Sequence, residues 1–124
     1  QWFAIFSGIL PRNYSGATGV TVYIHWTATT ATSGAVMWTA LFERMLAQDL
    51  DSDSFAAAQA FSASTADATS GIITSPSLAI TAGANMDSAV AGEPFRLKIS
   101  RDAANGSDTM TGNAEIIAIE IKET

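Results

Sequence analysis

The chain is predicted to be all-β, an antiparallel β-sandwich of jelly-roll-like type in one domain over 1–124, with room for a single short helical turn. Three observations predict it. Val20, Val22, Ile24 and Trp26 alternate with Thr21, Tyr23, His25 and Thr27, the period of two expected of a strand with one buried face. Phe95, Leu97 and Ile99 alternate in the same way with Arg96, Lys98 and Ser100. Turn-forming residues recur between short apolar runs along the whole chain, the spacing typical of sandwiches and jelly rolls.

In chain order, Trp2 to Leu10 is aromatic and β-branched, and Gly8 within it marks a bulge or a close backbone contact. Pro11 ends this strand, and 12–19, with Asn13, Ser15, Gly16 and Gly19, forms a loop. Gly19–Thr27 is the central strand. Val36–Leu46 fits both a helix and a strand; the neighbouring Gly34 turn favours a strand buried on both faces. Gln48–Ser54 is an acidic connection. Phe55–Phe61 is Ala-rich and fits a short helical turn capped by Asp53 or Ser54, while a strand over 59–65 is the alternative. In 71–82, Pro76 cannot donate to a ladder, which places that strand at an edge or breaks it. Gly83–Gly92 reads as a loop with one helical turn. Asn105-Gly106 suits a tight turn at positive φ. The last strand, Glu115–Lys122, sets Ile117, Ile119 and Ile121 on one face and Ile116, Ala118, Glu120 and Lys122 on the other. Six or seven strands result. The repeated Ala-Thr-Ser-Gly at 31–34 and 68–71 is what chance gives in this composition.

Twelve acidic against six scattered basic residues leave a net charge of −6. Binding to DNA or RNA needs concentrated positive charge, so no nucleic-acid partner is expected. Every apolar run is interrupted well short of the ~20 residues that span a bilayer, and no membrane contact is expected. There is no cysteine, hence no disulfide and no thiolate nucleophile or metal ligand. The start at Gln1, with neither an initiator Met nor a signal-peptide pattern, is read as a processed chain or part of a longer product.

No reaction is legible. His25 is the single histidine, and no sequence signature supplies a nucleophile or carboxylate beside it; no Gly-x-Ser-x-Gly elbow is present. Asp49, Asp51 and Asp53 resemble the opening of a calcium loop, but Ser54 and Ala60 stand where Gly and Glu belong, so a solvated acidic connection is the better reading. No phosphate-binding glycine loop occurs, and neither metal nor cofactor is expected. Trp26 and Trp38 lie on apolar faces and are assigned to the core. Trp2, Phe3, Tyr14 and Tyr23 remain as exposed candidates for an interface or for stacking on a glycan. Asn13-Tyr14-Ser15 and Asn105-Gly106-Ser107 fit the glycosylation pattern, which is frequent by chance.

Gly92-Glu93-Pro94-Phe95-Arg96-Leu97-Lys98-Ile99-Ser100-Arg101-Asp102 and Asp108-Thr109-Met110-Thr111-Gly112-Asn113-Ala114-Glu115, together with Gly19–Trp26, Phe42-Glu43-Arg44 and Asp51–Phe55, resemble phage-encoded virion structural proteins. The resemblance implies a non-enzymatic jelly-roll-like subunit of the virion, either a capsid decoration or tail-associated. It would pack as a homo-oligomer, often a trimer, against other virion proteins. It carries over no catalytic residue, and Gln1 departs from it, since an N-terminal arm or anchor would be expected upstream. A carbohydrate-binding module or tail receptor-binding domain is the competing expectation.

Overall fold

The computed structural model describes residues 2–46 and 48–124. The strands are β1 (Phe3–Ile9), β2 (Val20–Ala28), β3 (Ala35–Val36), β4 (Trp38–Arg44), β5 (Gln59–Ala60), β6 (Ser64–Thr65), β7 (Ser77–Ile80), β8 (Pro94–Arg101) and β9 (Ala114–Glu123), with one 3₁₀ turn at Ala84–Met86. Two antiparallel sheets, ordered β1-β8-β4-β5 and β7-β2-β9, face each other, and β3-β6 form a small separate ladder.

The alternating strands behave as their periods require. Val20, Val22, Ile24 and Trp26 turn inward from the second sheet, and Phe95, Leu97, Ile99, Trp38, Ala40 and Phe42 from the first. At the centre the Trp26 and Trp38 rings meet edge to face with centroids 5.9 Å apart. Trp26 Nε1 donates to Ser64 Oγ at 2.9 Å, whereas the buried Trp38 Nε1 has no partner. Phe42 stacks on Phe95 at 4.7 Å. Aromatic pairs of this kind add to simple area burial and fix how the sheets seat.

Several expectations change. Residues 35–44 are extended, but only partly enclosed on both sides: Trp38, Ala40 and Phe42 are in the core, while Thr39 and Leu41 on the opposite face are half-buried. Met37 interrupts the run, donating its N–H to Asp108 and accepting from the Asp102 N–H. Phe55–Phe61 makes no helix. Ala56 and Phe61 donate to the Phe42 and Trp38 carbonyls, so the segment lies along β4 as its outer neighbour. Pairing with an existing strand edge outweighs the weak helical preference of seven residues. Asn105 and Gly106 take no positive φ; consecutive turns from Asp102 to Asn105 and from Asn105 to Asp108 carry the chain round instead.

In β9 the period breaks. The register slips between His25 and Trp26, so that His25 faces Ala118 and Trp26 faces Ile116, leaving Ile117 unpaired. This bulge turns Ile117 out to solvent and Ile116 inward, the reverse of the simple alternation. Gly8 proves to be a close contact: a Cβ there would lie 3.0 Å from the Phe95 ring, and β1 pairs with β8 without a slip. Gly19, immediately before β2, stands at φ +87°, where an added Cβ would collide with the Ile80 carbonyl and sit 2.7 Å from Ala82 N. β7 starts immediately after Pro76 and is an edge strand, as proline's missing donor requires.

Candidate functional site

Buried ion pairs hold the ends of the first sheet. Arg101 grips Asp108 with two hydrogen bonds of 2.9 and 2.6 Å, and donates to the Gly112 and Met110 carbonyls at 2.7 and 2.6 Å. The loop between β8 and β9 is therefore folded around one guanidinium. The Arg101 hydrogen bond, opposed by burial but helped by the Met37 N–H, holds the Asp108 carboxyl below its ordinary range. Glu43, 1% exposed, pairs with Arg96, and its other oxygen accepts the Ser54 N–H at 2.6 Å. Burial pushes the Glu43 carboxyl up, but Ser54 and Arg96 together outweigh it and hold it low. Arg44 pairs with Glu93 at 2.6 Å. These contacts are internal and build scaffold.

The exposed chemistry lies along one flank. β1 ends the first sheet and β9 ends the second, and neither has a strand on its far side. They run side by side in the same direction. Residues 6–11 of β1 and its exit share a cleft of about 340 Å³ with Ile119, Ile121, Lys122 and Glu123 of β9. Trp2 shares another, of about 590 Å³, with Arg101 and 113–117. The first cleft is floored by Phe6, Gly8, Leu10, Phe95, Ile119 and Ile121, so the sandwich core is partly open there. Glu123 lines it and accepts from both the N–H and the hydroxyl of Ser15, which lowers that carboxyl.

On the outer face of the first sheet, Phe3 (50% exposed), Ile5 (43%) and Ile9 (68%) form a row beside β8. Lys98 Nζ sits 4.4 Å from the Phe3 ring centroid and 5.8 Å from that of Phe55, between two aromatic faces, and Arg96, opposite Ser7 on the same face, also lies over Phe55 at 5.2 Å.

The four candidates from sequence separate. Trp2 and Phe3 are exposed and adjacent, Trp2 at the wider cleft and Phe3 on the outer row. Tyr14 is not an exposed aromatic: it is 6% exposed, because the turn from Pro11 to Tyr14 folds it under the core's edge, where its hydroxyl donates to Met86 Sδ at 3.4 Å. Burial, reinforced by the Glu123 charge, raises its pKa. It lines the narrower cleft from within. Tyr23 stands apart, half-buried on the outer face of the second sheet with Lys122 Nζ 5.4 Å above its ring. Ile5, Ile9 and Ile117 were missed. The signal for the first two was present, since residues 2–11 carry no charge and are apolar at both parities.

His25 Nδ1 lies 2.7 Å from Ser75 Oγ on the second sheet's outer face, outside both clefts, and no further hydrogen bond of its ring occurs among the described residues. Asp49 accepts the Asp51 N–H at 3.0 Å and Asp53 reaches Arg96 at 3.4 Å, so the acidic connection is engaged with the chain itself. Among the described residues no group of three or more His, Asp or Glu side chains is placed to hold a metal ion. No helix among them is long and apolar enough to cross a membrane. No protein-family model, curated protein or solved structure matches the chain.

Proposed function

We propose that the chain is a non-enzymatic structural subunit of a phage virion, a jelly-roll-like capsid decoration or tail-associated protein that acts by packing as a homo-oligomer and against other virion proteins. The observation that supports it best is the uncharged, solvent-facing β1 strand at the end of a sandwich that is otherwise well closed by ion pairs. Bare apolar edges of this length are normally blunted by charge or proline in proteins that work alone. Here the strand between Trp2 and Leu10 carries neither. Gradient-purified particles from a phage lysate containing the chain, analysed by mass spectrometry, should hold it in stoichiometric amount. Its confinement to the particle-free fraction would overturn the reading.

A second reading has one observation of its own. Trp2, Arg101, Asn113 and Glu115 surround the wider cleft, an aromatic face beside hydrogen-bonding groups, as a glycan site requires. Tyr23 contributes less, because Lys122 covers one side of its ring. If the cleft takes sugars, a glycan array gives saturable binding that Trp2→Ala removes by tenfold or more, and no binding across the array defeats it.

A further inference from the structure

We infer that two copies of this chain pair through β1 by a two-fold axis, running the strands antiparallel and making one continuous sheet across the contact. The inference rests on the homo-oligomer part of the proposal above and specifies its contact.

The backbone supplies the first argument. Leu10 donates its N–H to Glu93 and accepts from the Gly92 N–H. Along an antiparallel ladder the direction of these groups alternates, so Ala4, Phe6 and Gly8 also turn theirs toward β8. Phe3, Ile5, Ser7 and Ile9 therefore present N–H and C=O groups to the open edge. A second β1 meets that edge with the same set. Centred on Phe6, the antiparallel register sets Phe3 opposite Ile9 and Ile5 opposite Ser7 of the second copy, with every one of those edge groups paired.

Side chains agree with this register. On the outer face the two most exposed members of the row, Phe3 and Ile9, cover each other twice. On the inner face Phe6 meets its own copy above the open cleft, while Ala4 meets Gly8, and small residues there let the strands approach. Half-exposed Trp2, Phe3, Ile5, Ile9 and Ile117, at ~150–250 Å² for a whole aromatic side chain, supply about 500 Å² per copy. With the edge backbone, Ser7 and Lys98 included, the strip comes to the ~800 Å² per partner of a specific interface.

Charge agrees as well. Although each chain carries −6, its 2–11 segment carries none. The β1 and β9 ends of the two sheets lie on one flank, which suits a self-complementary two-fold contact; a closed three-membered ring needs two different surfaces.

Light scattering and sedimentation on the purified chain should give twice the 12.9 kDa chain mass. Ser7→Pro removes an N–H that faces the open edge and leaves the β8 ladder intact. It should weaken the dimer by about 100-fold or more with an unchanged circular-dichroism spectrum. Should that variant fail to fold, Phe6→Cys decides: the natural chain has no thiol, and opposed residues on the axis stand ~4.5 Å apart, so mild oxidation should link the copies. Ile5→Cys, displaced from the axis, should link poorly. A monomer across micromolar to millimolar concentration, a trimer, a folded Ser7→Pro dimer, or equal linking at both positions overturns the pairing. The particle assay is separate: a dimer absent from virions defeats the virion reading alone, and a monomer found on virions defeats this contact and the homo-oligomer part of the proposal while the virion assignment stands.

Discussion

Trp26→Asp should leave no folded protein at neutral pH. Trp26 is wholly enclosed, packs edge to face on Trp38 and donates to Ser64. Removing a large buried aromatic costs about 3–5 kcal/mol through lost contacts and the cavity left behind. An aspartate in that space adds the penalty of an unpaired buried charge, of several kcal/mol. Together these consume most or all of the ~5–15 kcal/mol that holds a domain folded. The control is one face away in the same strand. Thr21 lies on the outer side of β2 opposite Lys122, so Thr21→Asp should change stability by no more than about 0.5 kcal/mol. Circular dichroism and urea unfolding of both variants test the face assignment directly. A cooperative native-like transition for Trp26→Asp would show that its face is not the core.

That pair of substitutions also marks where sequence was sufficient. β8 could be read from its alternation because it runs without a slip against β1 and β4, and β2 because its own alternation holds from Val20 to Trp26 although its β9 partner slips. β9 has an equally clear pattern, yet half of it inverts at Ile117, since the bulge is a property of its pairing with β2 and leaves no local trace. Glu43 breaks the rule that carboxylates stay outside. Its burial arises from Asp53–Phe55 returning across the outer face, where Ser54 donates to Glu43 and Asp53 and Phe55 meet Arg96 some forty residues further on, contacts whose direction no period encodes. Tyr14 sits in a loop of polar composition and is buried because Pro11 turns it inward. The candidate surface was half legible. Trp2–Leu10 was recognisable as a strand, but whether it lies in the middle of a sheet or at its end depends on strand order, which only the assembled sheet determines.

Arg96→Met should be the most damaging change outside the apolar core, and its pH dependence identifies why. In the native chain Arg96 Nε donates to Glu43 at 2.7 Å, and the guanidinium also lies 5.2 Å from the Phe55 ring. Met fills a similar volume but leaves the Glu43 carboxylate enclosed with only Ser54 as a donor. Stranding one member of a buried pair costs about 3–5 kcal/mol, whereas replacing both members costs much less. Arg96→Met/Glu43→Gln should therefore recover more than half of the loss, a coupling that a merely steric effect would not produce. The folded-state values of Glu43 and Asp108 lie below their ordinary 4.5 and 3.8, so the unfolded chain binds more protons in acid. Their contribution is complete above those ordinary values and is lost as pH falls through the lowered ones. In Arg96→Met the sign reverses at Glu43: burial dominates, its carboxyl rises, and protonation relieves the stranded charge. The gap between native chain and variant, measured by urea unfolding at neutral pH and again below 4.5, should thus narrow on acidification. A gap that stays constant would mean that Arg96 stabilises the fold by its packing on Phe55 rather than by its charge.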